Sequence, residues 1–171
     1  MRPGANALIT IQPLKIEDKD PVCQLLKEAG VFSDEEIQVA IELIDIYLHD
    51  RDQKDYDMYS ALTEKNDVVG YTCLGPTALT SGTFDLYWIA VKPSHQRSSV
   101  GTQLLHYAES LVTSKGGRLL ISETSSLPRY EKTRKFYVRN AYRELARIKD
   151  FYAVGDDLVI YGKYLSQHKG I

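Results

Sequence analysis

The chain has 171 residues, of which 43% are hydrophobic and 26% are charged, and its 21 basic and 23 acidic side chains leave a formal net charge of −2. A chain of this length usually forms one core, so we expect a single domain over residues 1–171. The small negative charge argues against a nucleic-acid partner, which a basic surface would bind. Because no apolar run approaches the roughly 20 residues of a membrane span and the start lacks a secretory pattern, we expect a cytoplasmic protein without a membrane partner.

Cysteine and histidine form no pattern typical of a metal site. The two cysteines, Cys23 and Cys73, are far apart in the chain, and no two of the four histidines stand four residues apart. A disulfide framework and a bound metal are therefore both unexpected. The twelve tyrosines are the one compositional excess, and composition alone does not explain them.

The first part of the chain predicts one strand followed by two helices. Residues 7–11 alternate as a strand does. The apolar spacing in residues 17–30 predicts a helix that ends at Gly30. A second helix is expected to begin at Ser33, because Glu36 three residues later completes a capping-box pattern.

Strand and helix patterns alternate through the rest of the chain. Alternating or continuous apolar runs predict strands over residues 56–63, 68–74, 84–91, 118–123, 142–148 and 158–165. A helix should begin at Ser99 and end before Gly116, and a short helix should cover residues 130–139. The second half of the strand at 84–91 is almost entirely apolar, which predicts burial on both faces. The resulting order, β-α-α-β-β-β-α-β-α-β-β, contains a parallel βαβ unit and predicts a mixed α/β sheet.

The loop after the strand at 84–91 carries the clearest chemical signal. Residues 93–102 read Pro-Ser-His-Gln-Arg-Ser-Ser-Val-Gly-Thr and lead into a helix. The first backbone N–H groups of a helix have no partner within it and lie at its positive end, which suits a diphosphate. Gly101 would let an anion approach the backbone, although an ordinary serine-capped helix explains the loop equally well. The chain has neither Gly-Lys-Ser/Thr after this loop nor Gly-x-Gly-x-x-Gly, so P-loop and dinucleotide binding are not expected.

This loop resembles a motif of the GCN5-related N-acetyltransferases (GNAT). The family pattern Gln/Arg-x-x-Gly-x-Gly/Ala corresponds to residues 96–101, with Ser99 in place of the first glycine. We expect Ser99 to take the helical conformation of a helix N-terminus, which keeps diphosphate binding possible. The resemblance covers about residues 7–165, and its motif core is about 83–165.

A second motif supports the same resemblance. The family pattern Phe-Tyr-x-x-x-Gly-Phe/Tyr corresponds to residues 136–142, with Ala141 in place of the glycine. We expect Asn140 to take the left-handed turn instead, because asparagine tolerates that conformation. The two motifs stand at the family's spacing with a predicted strand between them.

The resemblance implies the GNAT fold, a central mixed and mostly antiparallel sheet that is flanked by helices and whose parallel central strands splay apart. It also implies acetyl-CoA as co-substrate and no metal. Pantetheine would lie against the backbone of Ile89, Ala90 and Val91. The residues expected at the diphosphate are Gln96, Arg97, Ser98, Ser99, Val100, Gly101 and Thr102. The residues expected to contact CoA from the last helix are Tyr130, Thr133 and Arg134.

The resemblance also implies the catalytic groups. Tyr137 matches the family's general acid, which protonates the departing thiolate of CoA. Glu123, at the end of the strand at 118–123, is the expected base that takes a proton from the amine, and Asp85 is the alternative base. A loop-orienting or capping role for either carboxylate is left open.

The connection between the last two predicted strands, residues 149–157, lies beside the acceptor in this family. Phe151 and Tyr152, together with the acids of this segment and Asp85, would bind a cationic amine. A polar hairpin whose aromatic side chains pack beneath it is the alternative.

The expected function is transfer of an acetyl group from acetyl-CoA to a primary amine of a small molecule or peptide, by direct attack in a ternary complex. A non-catalytic acyl-CoA-binding sensor or interaction domain of the same fold is the alternative, and Tyr137 with Glu123 favours the enzyme. Dimers are common in the family, so a homodimer is an expected form. The sequence does not identify the amine.

Overall fold

The computed structural model describes residues 8–165. The strands are β1 (Thr10–Pro13), β2 (Asp57–Leu62), β3 (Val68–Pro76), β4 (Thr83–Val91), β5 (Leu119–Ser125), β6 (Arg143–Ala153) and β7 (Asp156–Tyr164). The helices are α1 (Lys19–Ala29), α2 (Asp34–His49), α3 (Val100–Ser114) and α4 (Glu131–Arg139). These elements follow the chain in the predicted order. Part of the first predicted strand, Ala7, lies outside the described residues, and β1 begins later, at Thr10.

The strands form a mixed sheet in the order β1-β2-β3-β4-β5-β7-β6. β2 is antiparallel to β1 and β3, and β7 is antiparallel to β5 and β6. β4 and β5 are parallel and are joined through α3, so the predicted βαβ unit and the mixed α/β class are confirmed. The described pairing of β4 with β5 covers only Thr83–Asp85 opposite Leu119–Ile121.

The described residues form two compact units. The first unit consists of residues 8–74 and 88–108, and the second consists of residues 75–87 and 109–165. β4 and α3 each contribute residues to both units. The single domain over residues 1–171 stays a prediction.

In the first unit, helices cover both faces of the strands. The spacing in α1 buries Val22, Leu25 and Leu26, as the sequence predicts, and these side chains join a core with residues of α2, β2 and β3. On the other face, Leu104 of α3 lies so close to Gly70 that a Cβ there would stand 2.8 Å from its Cδ1. A larger residue at position 70 would therefore crowd the side chains of Leu104 and Val100 on α3.

The capping box predicted for α2 is present. The Glu36 N–H donates to Ser33 Oγ at 3.2 Å, and the Ser33 N–H donates to Glu36 Oε2 at 2.6 Å. These two bonds satisfy backbone donors that the first turn of a helix leaves without partners. The sequence therefore located the start of α2 to the residue.

In the second unit, α4 packs against β5 and β7. Tyr137 of α4 stacks on Tyr161 of β7 with ring centroids 5.8 Å apart. The last turn of α3 is tied to β7, because Lys163 Nζ lies 3.0 Å from both carboxylate oxygens of Glu109. These contacts hold one face of β5 beneath a helix.

The expectation that the second half of β4 is buried on both faces is wrong, and so is the expected connection over residues 149–157. The second half of β4 is not buried on both faces: Tyr87 is 42% exposed, and Trp88, Ile89 and Val91 are half-buried. A run of apolar residues does not show whether neighbouring elements bury a strand completely or only in part. Trp88 is still partly covered, because its ring contacts that of Phe32 with centroids 5.0 Å apart.

The connection predicted over residues 149–157 is mostly strand. β6 continues to Ala153 and β7 starts at Asp156, so a turn at residues 154 and 155 joins them. The prediction failed because the register shifts between Ile148 and Ala153, with Asp150 at φ 53°, and this irregularity interrupts the alternation of side chains.

Candidate active site

The loop between β4 and α3 presents backbone N–H groups as a concave surface. Arg97 has φ 68° and Ser99 has φ 64°, whereas Ser98 between them does not have a positive φ. Alternation of this kind turns successive N–H groups toward one point and forms a nest that binds anions. The first helical bond of α3 runs from the Gln103 N–H to the Ser99 carbonyl at 2.9 Å, so the N–H groups of residues 100–102 precede the helical ladder. The loop therefore has the backbone geometry of an anion-binding site.

The side chains of this loop contact the loop itself. Ser98 Oγ donates to the His95 carbonyl, Gln103 Nε2 donates to Ser99 Oγ at 3.0 Å, and Gln96 Nε2 donates to the Val91 carbonyl at 3.4 Å. These bonds fix the backbone of the nest. The Ser98 N–H donates to the His95 carbonyl at 3.4 Å, so the donors that remain for an anion are the N–H groups of the other nest residues and of residues 100–102.

The expected conformation of Ser99 is wrong. Its φ of 64° is left-handed rather than helical. This conformation costs a residue with a side chain about 1–2 kcal/mol relative to right-handed backbone, and glycine escapes that cost. Ser99 therefore keeps the backbone geometry of the family's glycine at an energetic cost.

The expected left-handed turn at Asn140 is also wrong, because Ala141 adopts it with φ 66°. Asn140 has φ −94° and donates from Nδ2 to the Phe136 carbonyl at 2.8 Å, a bond that holds it in line with α4. Ala141 occupies the glycine position of the second family motif. Ser99 and Ala141, which replace the two motif glycines, therefore both have a positive φ.

Tyr137 lies on the buried face of α4 and is 3% exposed. Its hydroxyl oxygen is 2.7 Å from Ser122 Oγ on β5, and its ring lies between those of Tyr161 and Tyr142, with centroids 5.8 and 5.5 Å away. Burial raises the pKa of Tyr137 to about 12, although the hydrogen bond from Ser122 lowers it in part. The phenol is therefore protonated at neutral pH, as a proton donor must be.

Glu123 follows Ser122 in β5, and consecutive strand residues point to opposite faces of a sheet. Glu123 therefore projects from the face opposite to Tyr137. Although part of its side chain is exposed, loss of solvation and the negative charge of Asp85 raise the pKa of Glu123. A raised pKa brings a carboxylate closer to the range that suits a general base.

Asp85 lies on β4 opposite Ile121 and is held by a neighbour. The Thr77 hydroxyl donates to Asp85 Oδ2 at 2.6 Å. The sequence did not single out Thr77 or Ser122. Ser122 could have been noticed as a hydroxyl at an inward position of an apolar strand, whereas Thr77 gives no such signal.

The residues predicted to contact CoA from the last helix mainly support the loop after β5. Arg134 Nη1 donates to the carbonyls of Ser125 and Leu127 at 2.7 and 3.0 Å. Tyr130 is buried beneath the Arg129 guanidinium, which lies 5.1 Å from the ring centroid, and Thr133 is half-buried. Their contact with CoA stays a prediction.

Phe151 and Tyr152 lie in β6 and are 53% and 49% exposed, with an edge-to-face ring contact at 5.0 Å. Their exposure does not fit the alternative in which they pack beneath a hairpin.

The three acids of this segment have internal partners. The Gly155 N–H donates to Asp150 Oδ1 at 2.7 Å, Ser125 Oγ donates to Asp156 Oδ1 at 2.5 Å, and Arg147 pairs with Asp157 at 3.1 Å. The acids therefore stabilise the turn between β6 and β7, and an amine would compete with these contacts.

Residues 8–165 contain neither a group of side chains suited to a metal ion nor a helix suited to a membrane. In this part of the chain, no three His, Cys, Asp or Glu side chains are grouped so that they could hold a metal ion. None of the helices described here combines the length and apolar character that crossing a bilayer requires.

The comparisons with known proteins agree with this geometry. The family model of the acetyltransferase (GNAT) domain matches residues 54–144. A protein from Desulfovibrio desulfuricans described as a GNAT-family acetyltransferase is 39% identical, with a TM-score of 0.87 over 93% of this chain and 100% of that chain. The chain therefore belongs to the GNAT family of acetyltransferases. No curated protein matches it significantly.

More distant solved structures share the fold. The ribosomal-protein-S18-alanine N-acetyltransferase of Escherichia coli is 17% identical, with a TM-score of 0.73 over 96% of this chain and 99% of that chain. The PaiA N-acetyltransferase of Thermoplasma acidophilum, solved in complex with coenzyme A, is 20% identical, with a TM-score of 0.67 over 92% of this chain and 99% of that chain. At these identities the likeness concerns the fold alone.

Proposed function

We propose that the protein transfers an acetyl group from acetyl-CoA to a primary amine of a small molecule or peptide, by direct attack in a ternary complex. The observation that carries the proposal is the arrangement about β5, with a buried protonated phenol on one face and a carboxylate of raised pKa on the other. An attacking amine must lose a proton while a leaving thiolate must gain one, and two separate groups meet these opposite needs.

The loop before α3 supports acetyl-CoA as the co-substrate. The nest at residues 97–99 and the N–H groups of residues 100–102 offer donors to the diphosphate without a basic surface. The backbone of Ile89, Ala90 and Val91 would take the pantetheine amides as an added strand would. The coenzyme A bound in the Thermoplasma relative fits this assignment.

The proposed reaction begins when Glu123 accepts a proton from the ammonium form of the acceptor. The free amine nitrogen then bonds to the thioester carbonyl carbon, and the carbon–sulfur bond breaks. Tyr137 gives its phenolic proton to the departing sulfur. The nitrogen of the new amide gives its second proton to solvent, solvent returns one proton to Tyr137, and the proton that Glu123 accepted is the one released overall. Asp85, Phe151 and Tyr152 are proposed to contact the acceptor, and Asp85 is the alternative base.

The second candidate is an acyl-CoA-binding domain without activity. The strained residues Ser99 and Ala141 at two family glycine positions favour it, since degenerate motifs are expected when catalysis is lost. The conformations of both residues nevertheless preserve the loop and the end of α4, so we favour the enzyme. We further propose that it acts in the cytoplasm, without a nucleic-acid or membrane partner, as a monomer or homodimer.

Release of free coenzyme A tests the proposal. Purified protein is incubated with acetyl-CoA and a panel that includes a polyamine, an aminoglycoside, single amino acids and peptides with free N-termini. We expect release of the thiol of coenzyme A that depends on the amine. The mass of the amine should increase by that of one acetyl group in place of one hydrogen. Binding of acetyl-CoA with no acetylated product from any amine would identify the sensor instead.

A further inference from the structure

We propose that Ser122 is a positioning residue for Tyr137: its hydroxyl donates to the phenol oxygen, aims the phenolic O–H at the departing sulfur and holds the phenolate that remains. This inference rests on the proposed acid role of Tyr137. It adds a residue that neither motif of the family resemblance contains.

The distances decide where the Ser122 proton goes. A serine hydroxyl has one proton to donate, and two acceptors lie within reach of Ser122 Oγ: Tyr137 Oη at 2.7 Å and the Leu86 carbonyl oxygen at 3.4 Å. The shorter contact has the usual length of an O–H···O bond, whereas the longer one is beyond it. The hydrogen bond is assigned with Ser122 donating to the Tyr137 oxygen, the direction in which it lowers the pKa of the phenol, and the phenol's own proton is then available to the sulfur.

The surroundings of the pair strengthen this interaction. Ser122 is 4% exposed, so water does not compete for its proton. The titratable groups that face the Tyr137 ring from neighbouring elements are the phenols of Tyr142 and Tyr161, and both approach it by ring contacts. Within residues 8–165, Ser122 is the polar partner recorded for the Tyr137 hydroxyl. A single hydrogen bond thus governs the direction of the acid's proton.

The bond changes strength during the transfer. When the O–H bond of Tyr137 breaks and its proton joins the sulfur, the oxygen becomes anionic while Ser122 keeps its own proton. Hydrogen bonds to charged acceptors are stronger than those between neutral groups. Ser122 therefore stabilises the product of proton transfer more than the starting phenol and lowers the barrier to thiol release.

Ser122→Ala tests this role with an amine that the wild-type protein acetylates. We expect kcat to fall about 10- to 100-fold, as loss of a hydrogen bond to a charged group predicts, while the Kd for acetyl-CoA stays within twofold or threefold, roughly the scatter between neutral variants. Ser122→Thr, which keeps the hydroxyl, should recover most of the rate. Thr124→Val is the matched control, because Thr124 is buried on the same face of β5 and its hydroxyl has no hydrogen-bond partner among residues 8–165.

A double variant separates positioning from a structural role. In a Tyr137→Phe background, Ser122→Ala should have no further effect on the residual rate, because the bond no longer exists. Equal losses in both backgrounds, or an unchanged kcat in Ser122→Ala, would overturn the inference. Failure of the proposed function gives a different result, since the wild-type protein then acetylates no amine in the panel.

Discussion

Tyr137 is the residue whose chemistry depends most on its surroundings. Burial raises the pKa of its phenol to about 12, so the proton is present throughout the physiological range. A free thiol has a pKa of about 8.5, so a thiolate is a weaker base than this phenolate, and proton transfer to the departing sulfur requires that the phenol be aimed at it and that the phenolate be stabilised. Position therefore matters more than acidity at this site.

Replacement of this phenol should separate binding from turnover. In Tyr137→Phe we expect kcat to fall by about 100-fold or more, the usual effect of losing a general acid. The Kd for acetyl-CoA should change little, because the proposed diphosphate contacts are backbone amides of the loop before α3 and not Tyr137. Steady-state kinetics and calorimetric titration measure the two quantities.

Tyr142→Phe is the control for that substitution. It removes a buried hydroxyl whose ionisation is opposed by the nearby Glu109 carboxylate, and its ring belongs to the same aromatic cluster, with its centroid 5.5 Å from that of Tyr137. Its kcat should stay close to that of the wild type. A Tyr137→Phe enzyme as fast as this control would remove Tyr137 from the mechanism.

Substitutions of Glu123 and Asp85, the two candidate bases, should change the pH dependence of kcat/KM in different ways. The charge of Asp85 raises the pKa of Glu123, so Asp85→Asn lowers that pKa. A base works above its pKa, and the acidic limb of the kcat/KM profile should therefore move to lower pH in Asp85→Asn while activity remains. Glu123→Gln should abolish that limb together with most of the activity.

The reverse pattern would assign the base to Asp85: activity lost in Asp85→Asn and an acidic limb retained in Glu123→Gln. Stability offers a second check. A carboxyl whose pKa is raised by folding destabilises the folded protein at pH values above its unfolded pKa. Glu123→Gln should therefore not lower the free energy of unfolding at pH 7.

At the scale of elements, both strained residues mark the ends of helices. Ser99 precedes α3 and Ala141 follows α4, and each holds a left-handed backbone that glycine adopts freely. Helix periodicity predicted both helices, but it carries no information about φ at the flanking residues. The sequence therefore located the helix ends but assigned the wrong conformation to Ser99 and the left-handed turn to the wrong residue, Asn140.

Relief of this strain should stabilise the protein. Ala141→Gly should raise the free energy of unfolding by about 0.5–1 kcal/mol, because relief of about 1–2 kcal/mol of strain exceeds the extra chain entropy of glycine. Ser99→Gly should also raise the free energy of unfolding. Its gain should be smaller, because it removes the hydrogen bond that Gln103 Nε2 donates to Ser99 Oγ. Denaturant unfolding measures both.

Ala40→Gly provides the contrast. Ala40 lies within α2, where glycine costs about 1 kcal/mol relative to alanine. This variant should therefore lose stability while Ala141→Gly gains it. A loss at both positions would show that Ala141 is not strained.

At the scale of the whole molecule, the order of elements and the class of sheet could be predicted because periodicity and turn residues are local signals. The capping box at Ser33, the stop at Gly30 and the parallel βαβ unit follow from such signals. The partners of the site residues could not be predicted, because they depend on packing between distant segments. Ser122 meets Tyr137 only when α4 lies on β5, and Thr77 meets Asp85 only after the intervening turn closes.

Binding of acetyl-CoA should stabilise the folded chain as a whole. A ligand that binds only the folded state at 100 times its Kd adds about 2.7 kcal/mol to the free energy of unfolding. We therefore expect acetyl-CoA to raise Tm, and S-acetylpantetheine, which lacks the diphosphate, to raise it less at equal concentration. Thermal scans monitored by circular dichroism measure the difference.

Arg97→Ala is the control for this measurement, because the proposed diphosphate site uses the backbone of Arg97 rather than its side chain. The rise in Tm produced by acetyl-CoA should be the same in this variant. Equal rises from acetyl-CoA and S-acetylpantetheine would count against the nest as the site of the diphosphate.

Among the strands of residues 8–165, β6 ends the order, so one of its edges has no strand from this part of the chain beside it, and all of its 11 residues are exposed. A long free edge with apolar side chains such as Leu145 and Ile148 is the kind of surface on which strands of separate molecules join and aggregate. Its register is interrupted twice, at Leu145 and again around Asp150. Only short regular segments remain, and the irregularities that obscured β6 in the sequence thus also limit pairing of this edge with the strands of other molecules.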